Sequence, residues 1–147
     1  MAGSQPVLRD MEGDAVFFQE HTLGAEKASL AKALAAEKGW RMDIGPVNQG
    51  TDKVTAGVGA MWNEKVLKVQ LVKLVTAGAR DLEAIGRLRK YVIQHAHGYP
   101  FTVYNIYGWT NGATDHDANG KTNELLEEVH AGARLISDQP YIIVGGT

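Results

Sequence analysis

A chain of 147 residues with 44% apolar and 22% charged residues has the composition of one ordinary soluble globular domain with a core, which excludes a disordered segment. A formal charge of −2 gives no overall basic field of the kind that non-specific nucleic-acid binders use. The absence of cysteine removes disulfides, thiolate zinc sites and cysteine nucleophiles, and fits an intracellular reducing compartment or organelle without naming one.

No stretch approaches the roughly eighteen apolar residues of a membrane span. The opening MAGSQPVLRDMEGD has acids early and no apolar core after a basic start, so no secretory signal is visible. Asp14–Glu20 (DAVFFQE), between Gly13 and Thr22-Leu23-Gly24, is an apolar run rich in Val and Phe and reads as a buried strand. The next segment, AEKASLAKALAAEKG, holds strong helix formers, with Leu30 and Leu34 one turn apart and Gly39 in the stop position. Its thin apolar stripe suits a helix lying on one side of a sheet, with Lys27, Lys32, Glu37 and Lys38 in water.

From Trp40 the pattern changes to extended pieces: WRMDIGPV, a polar loop NQGTDK, then VTAGVGAMWN, where Gly57 and Gly59 fall on one face. VLKVQLVKLV alternates Leu67, Val69 and Leu71 against Lys68, Gln70 and Val72, as a strand with one wetter face does. RLRKYVIQHAHG and FTVYNIYGW flank His97-Gly98-Tyr99-Pro100 and read as a hairpin. TNGATDHDANG is a loop by composition. Beyond it Thr122, Leu125, Leu126, Val129, Ala133 and Ile136 mark one helix face, Glu124, Glu127, Glu128 and Arg134 the other, and YIIVGG after Pro140 is a final buried strand. The order predicts one α/β domain of the α+β type over residues 1–147: a mixed, mostly antiparallel sheet with helices packed on one face.

Several residue groups invite chemistry. Glu20, beside His21 at the end of a buried strand, is placed as a rigid scaffold places a carboxylate for a hard cation; a strand emerging into water reads the same way. Tyr107 closes the strand FTVYNIY, where its phenol can meet a phosphate oxygen or simply be wetted. Asp115, His116 and Asp117 are ligand types in a loop too flexible to cage an ion, and His95 and His97 share a strand face without a third ligand. The lysines at 65, 68 and 73 with Arg80, Arg87, Arg89 and Lys90 make the middle of the chain locally basic, interrupted by Glu64, Asp81 and Glu83.

The strand ends taken in order, DAVFFQEH, then FTVYNIYGW, then TNELLEEVHAGARLISDQPYIIVGG, resemble the endonuclease/exonuclease/phosphatase superfamily, with its DNase I-like four-layer sandwich. The resemblance covers nearly the whole chain but about the N-terminal half of a family domain. It implies that Glu20 would be a catalytic metal ligand and Tyr107 the active-site phenol. The family's Gly-Asp-x-Asn motif is replaced by Gly145-Gly146-Thr147, so the aspartate slot holds a glycine. The family's first strand with its metal-binding Asn, and its second half with the closing Asp and His, have no counterpart in the sequence.

Phosphodiester hydrolysis needs metal, base and leaving-group donors acting together, and such losses cost orders of magnitude. The expectation is therefore a catalytically degenerate domain, with no cofactor, acting as a structural or interaction subunit of a homo-oligomer or larger complex. Half a sandwich is expected to bare the inner face of its sheet, and so to meet a protein partner or a second copy through that apolar face. Trp40, Trp62, Phe101 and Trp109 are candidate anchors for such a contact or for the core. The alternative is a Mg²⁺-dependent phosphodiesterase or nuclease, acting on nucleic acid, whose site is completed by another chain.

Overall fold

The computed structural model of the chain describes residues 14–49, 54–96, 98–109, 116–135 and 140–146. Strand β1 (Ala15–Gln19) leads into helix α1 (Ala25–Glu37), then β2 (Trp40–Ile44), β3 (Asn48–Gln49), β4 (Val54–Thr55), β5 (Val58–Asn63) and β6 (Leu67–Leu71). Helix α2 (Ala77–Ala84), β7 (Leu88–His95), β8 (Phe101–Tyr107), helix α3 (His116–Leu135) and β9 (Tyr141–Gly146) complete the order. β5 is the centre of a first sheet, β1-β5-β2, antiparallel throughout; a second runs β6-β7-β8-β9, and β3-β4 is a separate ribbon. β7 and β8 form the expected antiparallel hairpin, while β8 and β9 run parallel and so need the long crossover that α3 provides.

Alternation along the strands decides the layers. On the first sheet Val16, Trp40, Met42 and Met61 point outward and pack with Ala35 of α1. On the second, Leu88, Tyr104, Ile106 and Ile143 point outward beneath α2 and α3, against Leu125 and Val129. The remaining faces meet each other: Phe17, Ala60 and Trp62 of the first sheet pack on Tyr91, Ile93, Val103, Phe101 and Val144 of the second. One short chain thus forms helix, sheet, sheet and helix layers by itself. The expectation of a bare inner sheet face is corrected here, because the strands read as a single sheet divide into two that cover one another.

Three local differences from the sequence reading have physical causes. VTAGVGAMWN is broken in two because Ala56 (φ 62°) and Gly57 (φ 102°) adopt left-handed backbone that a strand cannot contain. α2 is absent from the sequence reading because its eight residues span little more than two turns, short for a periodic pattern to stand out; the Thr76 hydroxyl starts it by accepting from the Ala79 N–H at 3.1 Å. α3 begins at His116, inside the stretch read as loop, with Asp117 in its first turn and Ala118 buried.

Two polar groups pin the layers together. Asn105 of β8 is fully buried; its Nδ2 donates to the carbonyls of Phe18 (3.1 Å) and Gly59 (2.8 Å), and its Oδ1 accepts from Gln19 Nε2 at 2.7 Å. Nearer β2, Asp43 accepts from Arg89 Nε (2.7 Å) and Nη2 (3.0 Å) and from the Tyr91 hydroxyl (2.7 Å). These bonds hold their carboxylate below the usual range although burial alone would raise it. Replacing Asn105 by Leu keeps the branched outline of the side chain and strands two carbonyls and an amide in a dry layer. It is expected to cost about 3 kcal/mol in urea unfolding, the range of a few unsatisfied buried groups.

Candidate active-site corner

The chain leaves β1 through unusual backbone. Glu20 (φ 54°) and Thr22 (φ 52°) both take left-handed conformations, which side-chain-bearing residues hold only when their surroundings over-determine them. His21, between them, supplies that constraint. Its backbone N–H donates to Gly57 O at 3.3 Å and that of Thr22 to Ala56 O at 3.1 Å. The imidazole is buried; Nδ1 accepts from the Leu23 N–H at 2.9 Å, which leaves the proton on Nε2 to donate to Gly45 O at 3.0 Å. A side chain at Gly57 would place its Cβ 2.6 Å from this ring. Both ring nitrogens are occupied, so His21 is the bolt that fixes Glu20 and not a ligand beside it.

The bolt turns Glu20 outward to the end of β8. There the Tyr107 phenol faces the Glu20 carboxylate, and burial, followed by the influence of that carboxylate, raises the phenol above its ordinary range. The structure therefore brings together the two residues singled out from sequence. Arg87 completes the corner: its guanidinium lies 4.7 Å from the Tyr107 ring centre and 4.5 Å from that of Trp109. Its Nη1 donates to Gly108 O at 2.7 Å. Burial lowers the Arg87 pKa, while Tyr107 and Glu20 oppose that shift.

β9 runs parallel to β8 with Gly146 in register with Tyr107. Gly145 could carry nothing larger, since its φ is 135° and a Cβ there would fall 1.9 Å from Ile106 O. Around Gly146, in contrast, no atom lies within 4 Å of an added Cβ. The position beside Tyr107 is open and empty of side chain.

A small hard cation such as Mg²⁺ can be held by one or two carboxylates with waters completing its shell, and Glu20 is the carboxylate that the described residues bring to this corner. One carboxylate, a neutral phenol and a guanidinium share the corner, and among the described residues no three His, Cys, Asp or Glu side chains gather for a metal ion. The other sequence candidates do not join it. Asp115, His97 and the side chain of His116 lie outside the described residues, as does Ile136, while Asp117 pairs with Lys121 at 3.4 Å.

The basic stretch disperses across layers. Arg89 points into the interlayer toward Asp43, Lys90 is buried on the outer side over the Tyr104 ring, and Arg80 donates to the carbonyls of Leu74 and Val75. Of the aromatic anchors, Trp40 packs under α1, Trp62 and Phe101 in the interlayer, and Trp109 against the outer core of the second sheet. Asn105 and Asp43 were missed by sequence reasoning, and Arg87 was marked only as part of a basic stretch; a lone Asn among the apolar residues of FTVYNIY was the available signal for the first.

No protein-family model matches the sequence, and no curated protein matches it in sequence. Solved structures do match. The chain is similar to ANGEL2, a 2′,3′-cyclic phosphatase in complex with adenosine-2′,3′-vanadate, with 15% identity and a TM-score of 0.60 over 98% of this chain and 43% of that one. A second ANGEL2 structure gives 14% identity and 0.59 over 95% and 41%. The human Nocturnin catalytic domain with bound sulfate gives 14% identity and 0.48 over 91% and 51%. The likeness is one of fold: the layers form part of a DNase I-like sandwich. The chain spans less than half the length of the ANGEL2 chain it matches.

His21 gives a pH test. Burial depresses its pKa below 6.5, so the unfolded state binds the extra proton first and stability falls as pH drops below 6.5. Asp43, also depressed, adds a second loss as pH falls below 3.8. The urea midpoint is expected to be lower at pH 5 than at pH 7.5, and His21→Gln is expected to shrink that difference. A midpoint flat across this interval in the parent protein would contradict the buried neutral imidazole.

Proposed function

We propose that this chain is a catalytically degenerate endonuclease/exonuclease/phosphatase-like domain that serves as a structural or interaction subunit. Gly146 carries the reading. It sits in register beside Tyr107, where the family resemblance calls for an aspartate, and leaves Glu20 as the one carboxylate of the corner among the described residues. Arg87 supports it, since a resident guanidinium next to Glu20 and Tyr107 repels a divalent cation. A metal-activated water and a base to prepare it act as a unit, and removing members of such a unit abolishes most of the rate.

One observation favours a second reading. Glu20 and Tyr107 are held in contact by strained backbone, as the parts of a working site are. In that reading the chain is a Mg²⁺-dependent phosphodiesterase or nuclease whose remaining ligands come from another chain, and Glu20 would be one of the groups holding the ion.

Calorimetric titration with Mg²⁺ or Mn²⁺ separates the two, paired with hydrolysis assays on DNA, RNA and a 2′,3′-cyclic nucleotide, the ester class named for ANGEL2. The degenerate domain is expected to show no turnover and the same heats as Glu20→Ala. Metal-dependent cleavage abolished by Glu20→Ala would end that reading. Because the space at Gly146 is open, Gly146→Asp is expected to fold and to tighten Mn²⁺ binding by at least about tenfold, a gain of roughly 1.4 kcal/mol. Unchanged Mn²⁺ affinity in a folded Gly146→Asp protein would mean that this position does not face the corner.

A further inference from the structure

The two sheets cover each other's faces, yet one flank of the sandwich stays open. β1 is an edge of the first sheet and β9 an edge of the second, and the two strands contact one another across the interlayer, so both edges lie on the same side. Among the described residues nothing pairs with the outer side of either. Soluble proteins guard such edges with charges, proline or bulges. β1 reads AVFFQ and β9 reads YIIVGG, with no charge and no proline in either. The opposite edges differ: β2 carries Arg41 and Asp43, β6 carries Lys68, and Arg41 forms an ion pair with Glu64. Ile142 shares the inward face of β9 with Val144, which is packed in the interlayer core, yet Ile142 is 48% exposed. Among the described residues nothing caps the interlayer at this flank.

We propose that the β1/β9 flank is a self-pairing interface, in which a second copy of this chain docks about a two-fold axis with β9 against β9 and β1 against β1. Strands related by a two-fold run antiparallel, and an antiparallel edge offers its own N–H and C=O groups in the self-complementary order that such an interface requires. A single extended peptide would cover one edge and leave the other bare. A second copy carries both edges at the same spacing by construction. Neither edge strand brings like charges onto the axis. The product is a pair of continuous sheets with the interlayer closed at the joint.

The inference gives the interaction-subunit reading a partner and rests on it for its role, but its test involves neither metal nor hydrolysis. The chain contains no cysteine, so Ile142→Cys provides a single thiol at the joint and Leu34→Cys a single thiol on the outer surface of α1. At micromolar concentration the parent protein is expected to sediment at twice the 15.9 kDa chain mass. Mild oxidation is expected to link Ile142→Cys copies, whose opposed Cα atoms would stand about 5 Å apart in an antiparallel pair, and to leave Leu34→Cys unlinked. Ile142→Lys is expected to weaken association at least about tenfold with an unchanged far-ultraviolet dichroism spectrum. A parent protein that stays at 15.9 kDa throughout overturns the proposal. So does a dimer that links through Leu34→Cys and not Ile142→Cys, or one that Ile142→Lys leaves intact. Should Ile142→Lys not fold, the cysteine pair decides. A monomer without metal binding would leave the degenerate-domain reading standing, and a dimer that cleaves phosphodiesters would remove that reading and keep the interface.

Discussion

Asn105 is the interaction on which the arrangement of layers depends. Two apolar sheet faces attract each other without direction, so hydrophobic contact alone leaves their relative position loosely defined. A buried carboxamide with three hydrogen bonds, two of them to backbone of the facing sheet, permits one position only. The partners are the Phe18 and Gly59 carbonyls and the Gln19 amide, so Asn105 also sets where β1 ends over β8. The pair formed by Asp43 with Arg89 and Tyr91 does the same at the β2 end of the interlayer. Between them the Phe17 and Tyr91 rings meet with centroids 5.9 Å apart, and the interlayer is apolar from pin to pin.

The corner at the ends of β1 and β8 inherits this rigidity. Gln19 is held by Asn105, and two residues later His21 is held by Gly45, Leu23 and Gly57. Glu20 lies between two fixed points, which explains how a left-handed glutamate persists at an exposed position. Among the described residues the charge balance of the corner is set by Glu20 and by Arg87, which lies over the rings of Tyr107 and Trp109.

The same architecture accounts for what is left unsatisfied. Four layers from so short a chain give three strands in one sheet and four in the other, and narrow sheets have much edge for their face. On the β2/β6 side the edges are guarded by charge. On the β1/β9 side they are apolar, and the interlayer residue Ile142 is half open to solvent.

Much of the fold was legible from local pattern. The apolar run at Asp14–Glu20, the helix ending at Gly39, the hairpin around His97-Gly98 and the long amphipathic helix all depend on near neighbours in sequence, where propensity and periodicity act. The order of strand ends likewise marked Glu20 and Tyr107, which lie at one corner of the fold. Tertiary structure alone decided that the strands divide into two sheets, because alternation says that a strand has two faces and not which neighbour each one meets. It also made His21 a bolt, made a lone Asn the pin between layers, and delivered Arg87 to the corner. Each of these depends on contacts between residues far apart along the chain, and no local window of sequence contains both partners.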